Sequence, residues 1–454
     1  MSAARLVSVS CRCPNNVSPE AFLASARGRE RFYWRDNEVT LVGIGITAEI
    51  TAWGERRFEI VREKATALFD GVQVLDGGAV MAQPRLFGGF SFQSDFITER
   101  TWAQFAPAYF ILPHFQLVSH DGEQWLTLNI QLGEDEIADE TALQAALVEQ
   151  CTALQGLSYS RQPSAHPTQV DYPMSFEQWT TMIHSAVHQM QTGILKKVVL
   201  ARVCELRFEE RVDVDRALDF LNEAYADSYR FLFEPVPYLA FFGATPELLV
   251  AVQGQELRTM ALAGSIKRGA TTTDDEALTA RLLADPKERY EHQLVVDGIR
   301  ERLTPLTTAL AIPAQPGTLQ LRNIQHLFTP VQGRLKAANG VLPLLETLHP
   351  TPALGGMPQA GALDFIRHAE PVPRGWYAAP IGWIDSQLDG TFAVAIRSAV
   401  SQNERVWLYA GAGIVAESQP LREWEETALK FKPMLDALGA QPKLIAEVAA
   451  HVRT

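Results

Sequence analysis

The stretch from Tyr409 to Lys430, YAGAGIVAESQPLREWEETALK, constrains this chain more than any other. An apolar, strand-like run from Val406 to Ala410 empties into Gly411-Ala412-Gly413, after which Ser418 and Pro420 read as the start signals of a helix. Glu423, Glu426 and Lys430 stand at i, i+3 and i+7 and share one helical face. Any fold must therefore bring two carboxylates, an ammonium and a strand bared by glycines to one volume. Carboxylates so close repel each other unless something cationic sits between them, and a hard divalent metal is the simplest solution. The competing reading is a solvated helix carrying an i, i+4 Glu-to-Lys pair.

Composition narrows the partners. The 454 residues are 47% hydrophobic and 9% aromatic, enough for a substantial core. A net charge of −13 without a Lys/Arg-rich run argues against nucleic acid and anionic membrane, so an anionic small molecule would need a local cationic pocket. The chain shows no apolar leader and no run of membrane-span length, and a cytoplasmic location is expected. Cys11, Cys13, Cys151 and Cys204 offer no metal-ligand spacing beyond the close Cys11/Cys13 pair, and are read as free thiols.

Residues 1–156 read as an N-terminal α+β half contributing to a composite core. They include an alternating stretch from Val39 to Ile50 and LFGGFSF at Leu86–Phe92, whose paired glycines suggest a bulge or close backbone contact. The polar, proline-bearing stretch 157–173 reads as a connection, 174–436 as the catalytic region and 437–454 as a tail. After the connection, Lys197 opens a buried strand, KVVLAR, and Glu247 sits in a turn with apolar flanks that would desolvate it and raise its pKa. Asp274–Leu303 reads as the longest helix, with Glu288 and Glu291 one turn apart as a second acidic face. His326 stands just before an expected turn. Trp376–Trp383 and Thr391–Val400 read as paired strands, the second holding Arg397, which if buried wants an anion. No Walker loop, dinucleotide-binding GxGxxG or HExxH motif is present.

Taken in order, KVVLAR, GATPELL, ALAGS, LADPKERYEHQLVVD, QHLFTPVQG, HPTPALGG, AIRSA and AGAGIV followed by EWEET resemble the motif series of the chorismate-utilising enzymes, the family of anthranilate synthase component I, and within it the isochorismate synthases. The resemblance implies an α/β (α+β) fold with a layered core of two large, mostly antiparallel β-sheets and helices outside. It implies Glu291 and Glu426 as Mg²⁺ ligands, with Glu288 and Glu423 supporting the metal or its waters. Arg397, Tyr377, Lys430 and the backbone at Gly411 match residues that hold the enolpyruvyl carboxylate. Gly264 and Ser265 match positions near the ring carboxylate, and His326 a histidine near the ring.

The implied reaction is a Mg²⁺-dependent isomerisation of chorismate to isochorismate. Lys197 is the expected base on a water attacking ring C2, and Glu247 the expected acid on the departing C4 hydroxyl. Family members that aminate chorismate carry glutamine in place of Lys197 and need an amidotransferase. Aminodeoxychorismate synthases often carry lysine where this chain has Ala263, and salicylate synthases have a threonine-bearing loop where it has Ala353. No amidotransferase subunit is therefore expected, and a monomer is the simplest state. Quinone, siderophore or salicylate pathways could each use the product. Ser265 departs from the threonine common among relatives, and Tyr377 from the phenylalanine of some siderophore-pathway synthases. The alternatives are a salicylate synthase of the same family and a catalytically silent chorismate-binding protein.

Overall fold

The computed structural model describes residues 5–441, apart from 15–16, 76–78, 99, 134–135, 137, 158 and 160–164. Most of the expected tail, 442–454, lies outside the described residues.

Two large sheets, of thirteen and ten strands among the described residues, organise the chain. Nearly every pairing is antiparallel; the exception is Arg5–Cys13 against Val72–Val74. Strands from before and after residue 157 intermix in both sheets. In the larger one Lys197–Arg207, Arg405–Ile414, Ser398–Gln402, Leu239–Thr245 and Tyr229–Val236 lie side by side and continue into Arg31–Arg35 and Val39–Ile44. In the smaller one Pro380–Ile384 pairs with Leu86–Phe90. Fully buried side chains such as Trp34, Phe90, Phe110 and Phe392, drawn from both sheets, belong to one apolar core together with Trp376.

Two places where the chain passes from one sheet to the other set the site. Leu239–Thr245 belongs to the larger sheet and Leu248–Gln253 to the smaller, with Glu247 between them. In the reverse direction Gly390–Val394 lies in the smaller sheet and Ser398–Gln402 in the larger, with Arg397 between them. The crossings are stitched together, since Ala244 N donates to Arg397 O at 3.1 Å and Val394 N to Glu247 O at 2.9 Å. The expected strand Thr391–Val400 is thus two strands in two sheets, and Pro380–Ile384 pairs only with the first. Arg397 takes φ 50° at the bend, a left-handed conformation that costs an arginine about 1–2 kcal/mol.

Other local expectations change for identifiable reasons. Asp274–Leu303 is two helices, Thr272–Ala284 and Pro286–Leu303, because Pro286 cannot continue the first; Asp285 caps the second by accepting from Lys287 N and Glu288 N. Ser418 does not cap the helix Pro420–Ala437; its Oγ accepts from Val415 N instead. The strand Arg405–Ile414 runs on through the glycines rather than stopping before them. His326 lies within the strand Ile324–Leu335, not at a turn. Gly88 and Gly89 permit close backbone approach rather than a bulge: a Cβ on Gly88 would lie 2.1 Å from Tyr109 O. The reading of all four cysteines as free thiols is corrected for two of them, since Cys13 and Cys151 are disulfide-bonded across the strand Arg5–Cys13 and the helix Glu140–Gln155.

Candidate active site

The helix Pro420–Ala437 packs on the strand Arg405–Ile414, and the helix Pro286–Leu303 on the strand Glu256–Lys267. Their acidic faces meet over the glycines. A Cβ on Gly413 would lie 2.2 Å from Glu291 Oε1 and 3.2 Å from Lys197 Cε, so only glycine leaves room for both side chains. Gly264 sits at a bulge between Ala263 and Ser265 with φ 76°, which turns Ser265 N toward Glu288 Oε2 at 2.9 Å. That donor is therefore engaged rather than open.

One cavity is lined by Glu247, Gly264, Ser265, Glu291, His326, Ala353, Tyr377, Arg397, Gly411, Glu426 and Lys430. Lys197 and Glu288 stand immediately behind this lining, against Glu291 and Ser265, and Glu423 lies one helical turn before Glu426. Lys197 is fully buried at the start of its strand, with Nζ 2.9 Å from Glu291 Oε1. The contact is an ion pair without an aligned hydrogen bond, which leaves the ammonium donors uncommitted. A larger groove of about 700 Å³ between the helices Phe176–Gln191 and Gln359–Ala369 holds none of these residues.

The cavity contains groups in opposed electrostatic states. Burial pushes the Glu247 carboxyl up to about 8, against the opposing pull of Lys197, Lys430 and Arg397. His326 is driven down to about 3 by burial and by Arg397. Its Nδ1 faces Gly264 O at 3.3 Å, which can only accept, and its Nε2 faces Arg397 Nη2 at 3.4 Å, which can only donate, so the ring is neutral with its proton on Nδ1. Arg397 is thereby aimed by a neutral neighbour and keeps its remaining donors for an anion. Burial raises the Tyr377 hydroxyl to about 12, and its ring stacks on Tyr409 at 5.1 Å. Lys430 Nζ donates to Gly411 O at 2.9 Å and pairs with Glu426 at 2.6 Å.

Whether the four glutamates suit a hard divalent cation can be judged from their surroundings. Glu423 is buried, its Oε2 has no hydrogen-bond partner among the described residues, and burial followed by repulsion from Glu426 pushes its carboxyl up. Glu288 is raised by burial and by Glu291. Glu426 is held low despite burial because Lys430 lies against it. Two of the four carboxyls, Glu288 and Glu423, thus resist carrying their charge in these surroundings, and oxygen donors of that kind fit such an ion.

Several side chains that the sequence alone did not single out complete the site. Lys287 Nζ lies 3.0 Å from Glu423 Oε1 and 3.6 Å from Glu288 Oε1, and Arg422 Nη2 lies 3.0 Å from Glu288 Oε1. Arg374 forms a two-point ion pair with Glu370 and donates to Val199 O and Leu354 O, fixing the cavity wall. Arg202 Nε donates to Thr427 Oγ1 at 2.7 Å and Nη2 to Trp424 O at 3.1 Å, tying the strand that begins at Lys197 to the acidic helix. Lys287 stood inside a charged run beside Glu288, and could have been found by asking what neutralises two facing acidic helices.

The family model for chorismate binding enzymes matches residues 1–439. The chain belongs to the chorismate binding enzyme family. Over 416 residues it is 38% identical to the salicylate biosynthesis isochorismate synthase of Pseudomonas aeruginosa, covering 90% of this chain and 84% of that protein. It is 37% identical over 424 residues to isochorismate synthase MenF of Bacillus subtilis, covering 90% and 88%. Among solved structures it resembles the menaquinone-specific isochorismate synthase MenF of Escherichia coli with a TM-score of 0.79 at 27% identity, covering 96% of this chain and 95% of that one. The layered two-sheet fold expected of a chorismate binding enzyme is thus the fold of this chain. Among the described residues no helix is long and apolar enough to cross a membrane.

Proposed function

We propose that this chain is an isochorismate synthase, working on chorismate in the cavity described above. The observation that carries the reading is a fully buried lysine, Lys197, directly behind Glu291 in the wall of a cavity that Glu247, a buried carboxyl kept protonated near neutrality, also lines. A protein that only binds chorismate needs cationic anchors but no such pair. Lys197, in its neutral amine form, takes a proton from a water as its oxygen adds to ring C2, and after turnover that proton is returned through solvent while Glu247 is reprotonated. The ring double bonds shift, and the C4 hydroxyl leaves as water with the proton from Glu247. One water enters and one leaves, so the net change is an isomerisation.

Arg397 and Lys430 supply the cationic field for the enolpyruvyl carboxylate, with Tyr377 and the Gly411 backbone positioning it. Gly264, Ser265 and the neutral His326 also line the cavity, and Ala353 leaves the ring without a hydroxyl neighbour from that loop. Glu291 and Glu426 would hold Mg²⁺, with Glu288 and Glu423 behind them. Bound there, the ion supplies Lewis-acid charge for the ring carboxylate. Lysine at position 197 supports a water-attack reaction that needs no amidotransferase partner, and a cytoplasmic monomer is the simplest setting.

Turnover in ¹⁸O-labelled water tests this directly. Isochorismate labelled at the C2 hydroxyl is expected; unlabelled isochorismate would overturn water attack, and salicylate with pyruvate would favour the other branch.

A further inference from the structure

Far from this site, three sulfurs converge. Cys11 and Cys13 are two residues apart on the strand Arg5–Cys13 and so point to the same face, against which the helix Glu140–Gln155 brings Cys151. The Sγ atoms of the three lie within 4.8 Å of one another, close enough to share a metal. Eight strands separate Arg5–Cys13 from Lys197–Arg207 in the larger sheet, about 40 Å along it at the usual strand spacing. Nothing in the chorismate chemistry uses these thiols.

A disulfide needs two sulfurs, and Cys13–Cys151 supplies them. The third, Cys11, stands outside that bond yet at the same point. We propose that once the disulfide is reduced, Cys11, Cys13 and Cys151 form a three-thiolate site for a soft divalent cation of the Zn²⁺ type. Tetrahedral ligands at about 2.3 Å from such an ion lie roughly 3.8 Å apart, within the spread of the three sulfurs. The Cα atoms of Cys13 and Cys151 are 6.0 Å apart, so the sulfurs can separate by side-chain rotation. Cys13 and Cys151 are buried among apolar neighbours including Val9, Leu147 and Leu154, whereas Cys11 is half-buried, which leaves one side open for water as a fourth ligand.

The steps balance. A dithiol reductant donates two electrons and two protons to the Cys13–Cys151 bond and becomes a disulfide itself. Binding then releases three protons, one from each thiol. The site would staple the helix Glu140–Gln155 to the strand in either redox state, by a covalent bond or by a metal.

The test uses the full chain with Co²⁺ as probe. After anaerobic reduction and removal of the reductant, one equivalent of Co²⁺ per chain is expected to produce thiolate-to-cobalt charge-transfer absorption, which Zn²⁺ then bleaches. Cobalt held by the glutamates of the active site gives no such band. The oxidised protein should show none either. Cys11→Ser and Cys151→Ser should each abolish the charge-transfer band at one equivalent while chorismate turnover stays within twofold of the parent. Reduced protein without the band, or a band that survives Cys11→Ser unchanged, would overturn the proposal.

Discussion

Lys197 Nζ and Glu291 Oε1 are 2.9 Å apart in the interior, so the residue assigned as base and a residue assigned to the metal neutralise each other. The same pattern recurs across the cluster: Lys430 meets Glu426, Lys287 meets Glu423, and Arg422 meets Glu288. The chain thus carries a cationic partner for each of its four clustered carboxylates, and a divalent ion competes with those partners for the same oxygens.

Removing Lys197 separates its chemical role from its structural one. Lys197→Ala is expected to lower turnover by about 10²–10⁴, the usual range for loss of a positioned base. Chorismate binding should stay measurable by calorimetry, because Arg397 and Lys430 are untouched. Turnover retained within tenfold would remove Lys197 from the base role.

The metal assignment makes a separate claim about binding. Mg²⁺ should raise the melting temperature of the parent protein by binding the folded state alone. Glu291→Gln and Glu426→Gln should each abolish that shift and the Mg²⁺-dependent activity together. Differential scanning fluorimetry across a Mg²⁺ series reads the first, and a shift that persists in both variants would place the ion elsewhere.

Glu247 fixes the alkaline limb of the pH profile. Its folded-state carboxyl sits near 8, so the acid form required for donating to the C4 hydroxyl is full below that value and lost above it. kcat/KM is expected to fall about tenfold per pH unit well above 8, and Glu247→Gln should lower it by about 10²–10⁴ at neutral pH and flatten that limb. An unchanged limb in the variant would assign it to another group.

Arg202 is expected to act at a distance from the chemistry. Its guanidinium stacks 3.6 Å from the Trp424 ring and holds both Trp424 O and Thr427, midway between Glu423 and Lys430 on the acidic helix. Arg202→Met should cost about 1–3 kcal/mol of this anchoring and weaken Mg²⁺ affinity five- to a hundredfold, with chorismate affinity reduced as well. Equal Mg²⁺ titrations for variant and parent would show the arginine to be a packing element only.

How much of this was legible in the sequence follows from the physics of each signal. Helical spacing exposed the shared faces of Glu288 with Glu291 and of Glu423, Glu426 and Lys430, because that periodicity is local. The glycines at 411 and 413 marked a close approach, and Gly413 does clear space for Glu291 and Lys197. The sheet crossing at Arg397 was not legible: FAVAIRSAV reads as one apolar strand, and only the pairing of its two ends with different sheets reveals the bend. Lys287 and Arg202 were missed for a related reason, since their partners lie 136 and more than 220 residues away. The Cys13–Cys151 bond spans 138 residues and left no spacing signal.

The most direct measurement is the product formed from chorismate by the purified chain, followed by NMR with Mg²⁺ and again after chelation. Isochorismate alone, formed only with the metal, is the expected result. Salicylate and pyruvate as the main products, or undiminished turnover after chelation, would contradict the account.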